Sequence, residues 1–205
     1  MNFIKLRQSL GDRTLFSVLD IKKLDPLFHR RRLNEWQDKG YIRKIVKGYY
    51  IFSDLKIDES ILFEIANRIY PPSYVSLETA FAYYGLIPES VYGVTSVSTR
   101  RTYRFNTPVA KFSYKTLRPR LYFGYDIIRH GDKSFRIASI EKAILDYLYI
   151  NPGIRSGDDF ESPRFNKDAF AAQANRKKFN AFLKNFDRKA LAERAGSFLE
   201  FMKNA

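Results

Sequence analysis

From Ser17 the chain reads Ser-Val-Leu-Asp-Ile-Lys-Lys-Leu. Val18, Ile21 and Leu24 recur at helical spacing behind a serine suited to an N-cap, so a short helix is predicted here. Asp25-Pro26 then restarts a helix, with Asp as N-cap and Pro at the first helical position, and the periodic pattern runs to Gly40. The turn between these two helices is predicted to be tight. On the second helix His29, Leu33 and Trp36 share one side, flanked by Phe28 and Arg32, and that side is expected to face a core. Tyr41 to Phe52 nearly alternates β-forming residues around Lys47-Gly48, the pattern of a two-stranded hairpin in which Tyr41, Tyr49 and Tyr50 pack. Helix, tight turn, helix and hairpin make a winged helix-turn-helix of residues 1–56, with the seam to the rest of the chain at 54–57.

Beyond the seam, helical segments are expected at Asp58–Tyr70, stopped by Pro71-Pro72, and at Ser76–Tyr84, stopped by Gly85. The stretch from Val91 to Ile137 is β-rich. Val94–Ser98, Tyr103/Phe105, Phe112/Tyr114 and Tyr122–Ile128 are separated by turn signals, which predicts three to five antiparallel strands. Ser139 is placed to cap a helix over Ile140–Ile150, whose Ile140, Ile144, Tyr147 and Leu148 form a stripe suited to pack on that sheet. Residues 151–166 read as loop, and two amphipathic helices are expected near 167–185 and 187–203. The fold class expected is α+β: an N-terminal winged helix-turn-helix, then a larger domain, 57–205, of antiparallel strands and packed helices.

Composition sharpens this picture. Apolar residues make up 45% of the 205 and aromatics 16%, enough to bury a core and to argue against a disordered chain. The lack of cysteine removes disulfides, thiolate metal sites and thiol nucleophiles. No apolar run reaches transmembrane length and the first ten residues lack the pattern of a signal peptide, so a cytoplasmic location is expected. The net charge of +14 is concentrated in blocks: residues 1–53 carry 12 basic against 5 acidic side chains, 98–136 carry 10 against 2, and 166–205 carry 9 against 4. A charge serving solubility alone would be spread evenly, so the blocks point to an anionic partner.

The first block has a specific geometry. Arg30, Arg31, Asn34, Gln37 and Asp38 lie opposite the apolar side of the second helix. Arg bonds guanine O6 and N7 in bidentate fashion and Asn does the same to adenine, and recognition helices use their N-terminal residues for this. Arg30, Arg31 and Asn34 are therefore candidates for base contacts. Arg43, Lys44 and Lys47 of the hairpin are candidates for phosphate contacts, which set register without reading sequence.

Enzyme signatures are missing. No Walker loop, G-x-G-x-x-G, H-E-x-x-H or G-x-S-x-G occurs, and His29 and His130 are too few and too far apart in sequence for a usual zinc or triad site. Gly196-Ser197 comes too close to residue 205 to open a nucleotidyltransferase site. Asp158, Asp159 and Glu161 read as a solvated loop, and Glu78 and Glu141 as acids serving helix caps. No catalytic residue, metal or cofactor is expected.

Three stretches carry a resemblance: Tyr74-Val-Ser-Leu-Glu-Thr-Ala-Phe-Ala-Tyr-Tyr-Gly-Leu-Ile-Pro-Glu89, Val94-Thr-Ser-Val-Ser-Thr-Arg-Arg101 and Ile137-Ala-Ser-Ile-Glu-Lys-Ala-Ile-Leu-Asp146. They resemble the AbiEi family, the abortive-infection antitoxins of type IV toxin–antitoxin pairs, over nearly the whole chain. The resemblance implies a winged helix that represses its own operon by binding promoter repeats in double-stranded DNA. It also implies a C-terminal domain that counters a nucleotidyltransferase-like toxin without needing a stable complex with it. The positions matching the DNA-binding role are the basic residues of 29–34 and 43–47. Arg100, Arg101, Arg104, Lys111, Lys115 and Arg118 supply a basic β-face whose partner stays open among DNA flanks, RNA and the toxin. The other class of function open to the chain is a non-enzymatic module whose basic faces hold an acidic protein or RNA.

Overall fold

Ser17 opens helix α2 (Val18–Leu24) with a reciprocal cap: its hydroxyl accepts from the Asp20 amide at 3.3 Å, and the Asp20 carboxylate accepts from the Ser17 amide at 2.8 Å. The computed structural model describes residues 1–11, 13–88, 93–131, 133–155 and 157–203. In it, α2 follows helix α1 (Phe3–Leu10) and a two-residue strand β1 (Phe16–Ser17). Helix α3 (Arg31–Asp38) and the hairpin of β2 (Ile42–Val46) and β3 (Tyr49–Phe52) come next. Gly48, at φ +90, supplies the positive dihedral that the hairpin turn needs. The three strands make an antiparallel sheet in the order β1-β3-β2. Leu6 of α1, Ile21 of α2 and Leu33 and Trp36 of α3 bury against Phe16, Tyr50 and Phe52 of that sheet.

The helix expected to start at Asp25-Pro26 starts instead at Arg31. The Phe28 amide donates to the Asp25 carbonyl at 3.0 Å and closes a turn over 25–28, and the Asp25 carboxylate binds the Met1 ammonium at 2.6 Å instead of capping a helix. The connection between α2 and α3 is accordingly longer than the tight turn expected. Phe28, not His29, joins the core. His29 is exposed and precedes the helix.

The rest of the described chain is mixed α and β. Helix α4 (Glu59–Ile69), capped by Asp58, leads to strand β4 (Ser73–Val75) and helix α5 (Leu77–Tyr83). Strands β5 (Val94–Ser98), β6 (Tyr103–Asn106), β7 (Lys111–Thr116), β8 (Tyr125–His130) and β9 (Lys133–Ala138) complete a six-stranded sheet in the order β6-β7-β5-β4-β9-β8. The start expected at Val91 lies outside the described residues. The sheet is mixed, which corrects the all-antiparallel expectation. Strand β6 pairs outside β7 and not with β5, so β5 and β7 lie side by side and run parallel, as do β4 and β9.

Helix α6 (Ile140–Ile150) is buried continuously from Ile140 to Leu148, because the sheet, α5 and two C-terminal helices cover it. It is a central helix and not the one-sided stripe expected. The expected loop over 151–166 contains a short helix, α7 (Gly157–Glu161), that buries Phe160. Three helices follow, not two: α8 (Lys167–Gln173), α9 (Arg176–Phe186) and α10 (Lys189–Lys203). The break comes at Asn175, whose side chain accepts from the Lys178 amide and begins a new helix. Leu15, Ile45 and Ile51 of the first 53 residues belong to the larger core, and the Thr14 hydroxyl donates to buried Glu64 at 2.6 Å, so the small sheet is fastened to α4.

Candidate nucleic-acid interface

Burial of Leu33 and Trp36 fixes the rotation of α3 about its axis, and the opposite face follows from the helical period. Arg30, Arg31, Asn34 and Asp38 are exposed on it, while Gln37 is half-buried and donates to the Leu33 carbonyl at 3.1 Å. Arg30 and Asn34 stand four residues apart and Arg31 and Asn34 three, so the three share one strip at the start of the helix. Among the described residues no acidic side chain pairs with Arg30 or Arg31. Arg32 is turned elsewhere and donates to the Met1 carbonyl. The Met1 ammonium, hydrogen-bonded to Asp25, holds that carboxyl below its usual range.

The hairpin divides its three cations. Lys44 and Lys47 are exposed at and beside the turn. Arg43 is half-buried, in register with fully buried Ile51, and its Nε finds no hydrogen-bond partner among the described residues. Ile51 belongs to the larger core, so the side chain of Arg43 lies on the hairpin face turned toward that core.

The six basic residues of 100–118 do not gather on one face. Strand alternation and register put Arg104, Lys111 and Lys115 on one side of the sheet together with Thr95 and Ser113, whose hydroxyls are 3.1 Å apart. Arg104, Asn106, Lys111 and Ser113 line a concavity of about 480 Å³ there. Arg100 instead lies over the Tyr70 ring at 4.4 Å and Arg101 over Tyr103 at 5.9 Å, beside the aromatic cluster of Tyr70, Tyr103 and Phe105. Arg118 is exposed just before a 3-10 turn at Pro119–Leu121.

Two of the stretches singled out in the sequence meet in the core. The hydroxyls of Tyr74 and Ser76 donate to one oxygen of Asp146 at 2.9 and 3.0 Å, and Lys142 reaches the other oxygen of Asp146 and the Tyr74 hydroxyl. Lys142 and Asp146 are fully buried. Burial pushes the Tyr74 hydroxyl far above its usual range and pulls the Lys142 ammonium down. Ser76 and Ser139 occupy N-cap positions, yet neither side chain makes a cap hydrogen bond, contrary to the cap expected of Ser139. Glu141 accepts from the Asn175 amide at 2.8 Å and pairs with Lys178 at 3.4 Å, which ties the start of α9 to α6 and goes beyond the helix-cap role expected of it. The periodic pattern carried no sign of this cluster, because its members are distant in sequence.

The Asp159 carboxylate of α7 accepts from the Arg155 amide at 2.7 Å. Among the described residues no three His, Cys, Asp or Glu side chains group so as to hold a metal ion, and no helix is long and apolar enough to cross a membrane. No protein-family model matches the chain, and no curated protein matches it.

Proposed function

We propose that this protein is a DNA-binding transcriptional autoregulator and the antitoxin of a type IV toxin–antitoxin pair. In this reading residues 1–56 form a winged helix-turn-helix and residues 57–205 an antitoxin domain that counters a nucleotidyltransferase-like toxin, without catalysis of its own and in the cytoplasm. The observation that carries the DNA-binding half is the strip of Arg30, Arg31 and Asn34. It is exposed and unpaired among the described residues, at the start of a helix whose other side is held by Leu33 and Trp36. The order helix, strand, helix, helix, hairpin and the sheet order β1-β3-β2 support it, since they set α3 and the turn at Lys47-Gly48 on one small scaffold. The antitoxin half rests on the resemblance of residues 74–89, 94–101 and 137–146 alone.

A mobility shift of the full chain with its own upstream DNA against scrambled competitor, at about 150 mM salt where nonspecific attraction is already screened, tests the first half. Specific retention is expected; equal binding to both DNAs overturns it. A second reading, a module that holds RNA or an acidic protein, draws on the concavity rimmed by Arg104 and Lys111. Loss of RNA or protein capture on Arg104→Glu with Lys111→Glu, in a chain that shows no specific DNA retention, would favour it.

A further inference from the structure

Leu27 is the most exposed large hydrophobic side chain among the described residues, with 93% of its surface open to solvent. A hydrogen-bonded turn holds it there. The 25–28 turn is closed by the Phe28 amide on the Asp25 carbonyl at 3.0 Å, and Pro26 at its second position has the φ that position needs. Both ends are anchored. The Asp25 amide donates to the carbonyl of fully buried Ile21 at 2.8 Å, and the Phe28 ring packs on Trp36 with centroids 5.5 Å apart. A backbone held in this way loses little further freedom when its side chain makes a contact.

A single exposed leucine is ordinary on a protein surface. The surroundings distinguish this one. Lys22, Lys23, Arg30 and Arg31 are all exposed and bracket it in sequence, while the acid between them, Asp25, is already engaged by the Met1 ammonium. A second copy of this chain docking here would bring like charges together, whereas a polyanion that also offers an apolar spot fits both features. Duplex DNA has that combination in its major groove, where thymine alone among the bases presents a methyl group, flanked by the phosphate backbones. Leu27 stands four residues ahead of Arg31, in the turn that leads into α3, whose exposed strip of Arg30, Arg31 and Asn34 is the proposed reader of base edges.

We propose that Leu27 contacts a thymine 5-methyl group and so specifies one T·A base pair at the edge of the α3 footprint. The inference rests on the DNA-binding reading above.

The test begins with the full chain selecting its preferred duplex from a random pool. Each thymine of the selected site is then replaced singly by deoxyuridine, which removes only the methyl group. The unaltered chain is expected to lose about fourfold in affinity at one position, the worth of roughly one buried methyl. Leu27→Ala is expected to bind the unmodified site about fourfold more weakly and to be indifferent to deoxyuridine there. Its thermal midpoint should not move, because the side chain it loses is exposed. If every thymine tolerates the replacement, or if Leu27→Ala keeps the same sensitivity, the thymine contact is overturned while DNA binding stands. If the unaltered chain enriches no sequence, both fall. Self-association that Leu27→Ala abolishes, with deoxyuridine sensitivity unchanged, assigns the side chain to a protein interface and also overturns the contact.

Discussion

The phenol of Tyr74 donates to Asp146 at 2.9 Å across 72 residues of chain, joining strand β4 to the central helix α6. Lys142, one helical turn before Asp146, closes the cluster from the other side, so an ionisable pair sits in the core with its partners already chosen, although burial pulls the Lys142 ammonium down and pushes the Asp146 carboxyl up. Such a pair adds little net stability over an apolar substitute, because the attraction offsets a desolvation cost of similar size. Its effect is directional: few other arrangements of β4 against α6 satisfy both ions.

Asp146→Ala should therefore cost about 3–5 kcal/mol, since it leaves the Lys142 ammonium buried without its counterion. The double change Lys142→Met with Asp146→Leu should recover the part of that loss due to the unpaired ammonium, but not the part due to the Tyr74 and Ser76 hydroxyls, which lose their acceptor. Urea unfolding of the two variants and the parent decides; a single variant within about 1 kcal/mol of the parent would show that the pair does not hold β4 to α6.

Glu141 couples α9 to pH. Burial works to raise its pKa, but hydrogen bonding, first from the Asn175 amide and then from its own amide and Ser139, together with the nearby Lys178 ammonium, outweighs it and holds the group below the ordinary 4.5. A carboxyl depressed in the folded state contributes stability above its unfolded value, and that stability is lost as pH falls through the folded one. Glu141→Gln should thus be less stable than the parent near neutral pH, by about 1–3 kcal/mol for a charged hydrogen bond, and should show a shallower loss below about pH 4.5. Asp20, held low in the α2 cap, should preserve part of the acid slope in both proteins. Urea midpoints between about pH 3 and 7 test this, and parallel curves would contradict it.

Features set by neighbouring residues are legible in the sequence. The Ser17 cap, the hairpin turn at Lys47-Gly48 and the outward face of Arg30, Arg31 and Asn34 depend only on spacing and local hydrogen bonds. The Asn175 cap is also local, yet it lies hidden in a continuous amphipathic pattern. Other features depend on contacts between distant residues. Asp25 and Ser76 look like helix caps until their oxygens are taken by Met1 and Asp146. Alternation assigns residues to strand faces but not strands to neighbours, so the parallel pairs of β4, β5, β7 and β9 are invisible to it. For the same reason it could not show that the larger core covers the side of the hairpin on which Arg43 lies.

Under the DNA-binding reading, Arg30→Ala with Arg31→Ala should abolish sequence-specific retention. A bidentate arginine–guanine contact contributes about 1–3 kcal/mol, so removing two costs roughly 30-fold or more in affinity. Both side chains are exposed, and no described residue pairs with them, so the thermal midpoint should be unchanged. Specific binding retained by the folded double variant would remove α3 from the role of reader.

Under the same DNA-binding reading, the hairpin's cations should divide between phosphate contact and packing. Lys44 and Lys47 are exposed, so Lys44→Ala with Lys47→Ala should weaken binding to specific and random duplex alike. Each phosphate that is no longer neutralised by a lysine lowers the slope of log affinity against log salt by about 0.9, so the double variant should show a slope smaller by nearly two if both lysines reach the backbone. Arg43 should behave differently. It lies half-buried on the face of Ile51, so losing its long apolar stem in Arg43→Ala should lower the unfolding free energy and leave the salt slope alone. Salt titrations of binding and urea unfolding, run on both variants, separate the two effects. A change of slope in Arg43→Ala without loss of stability would put its guanidinium on the DNA and contradict the packing role.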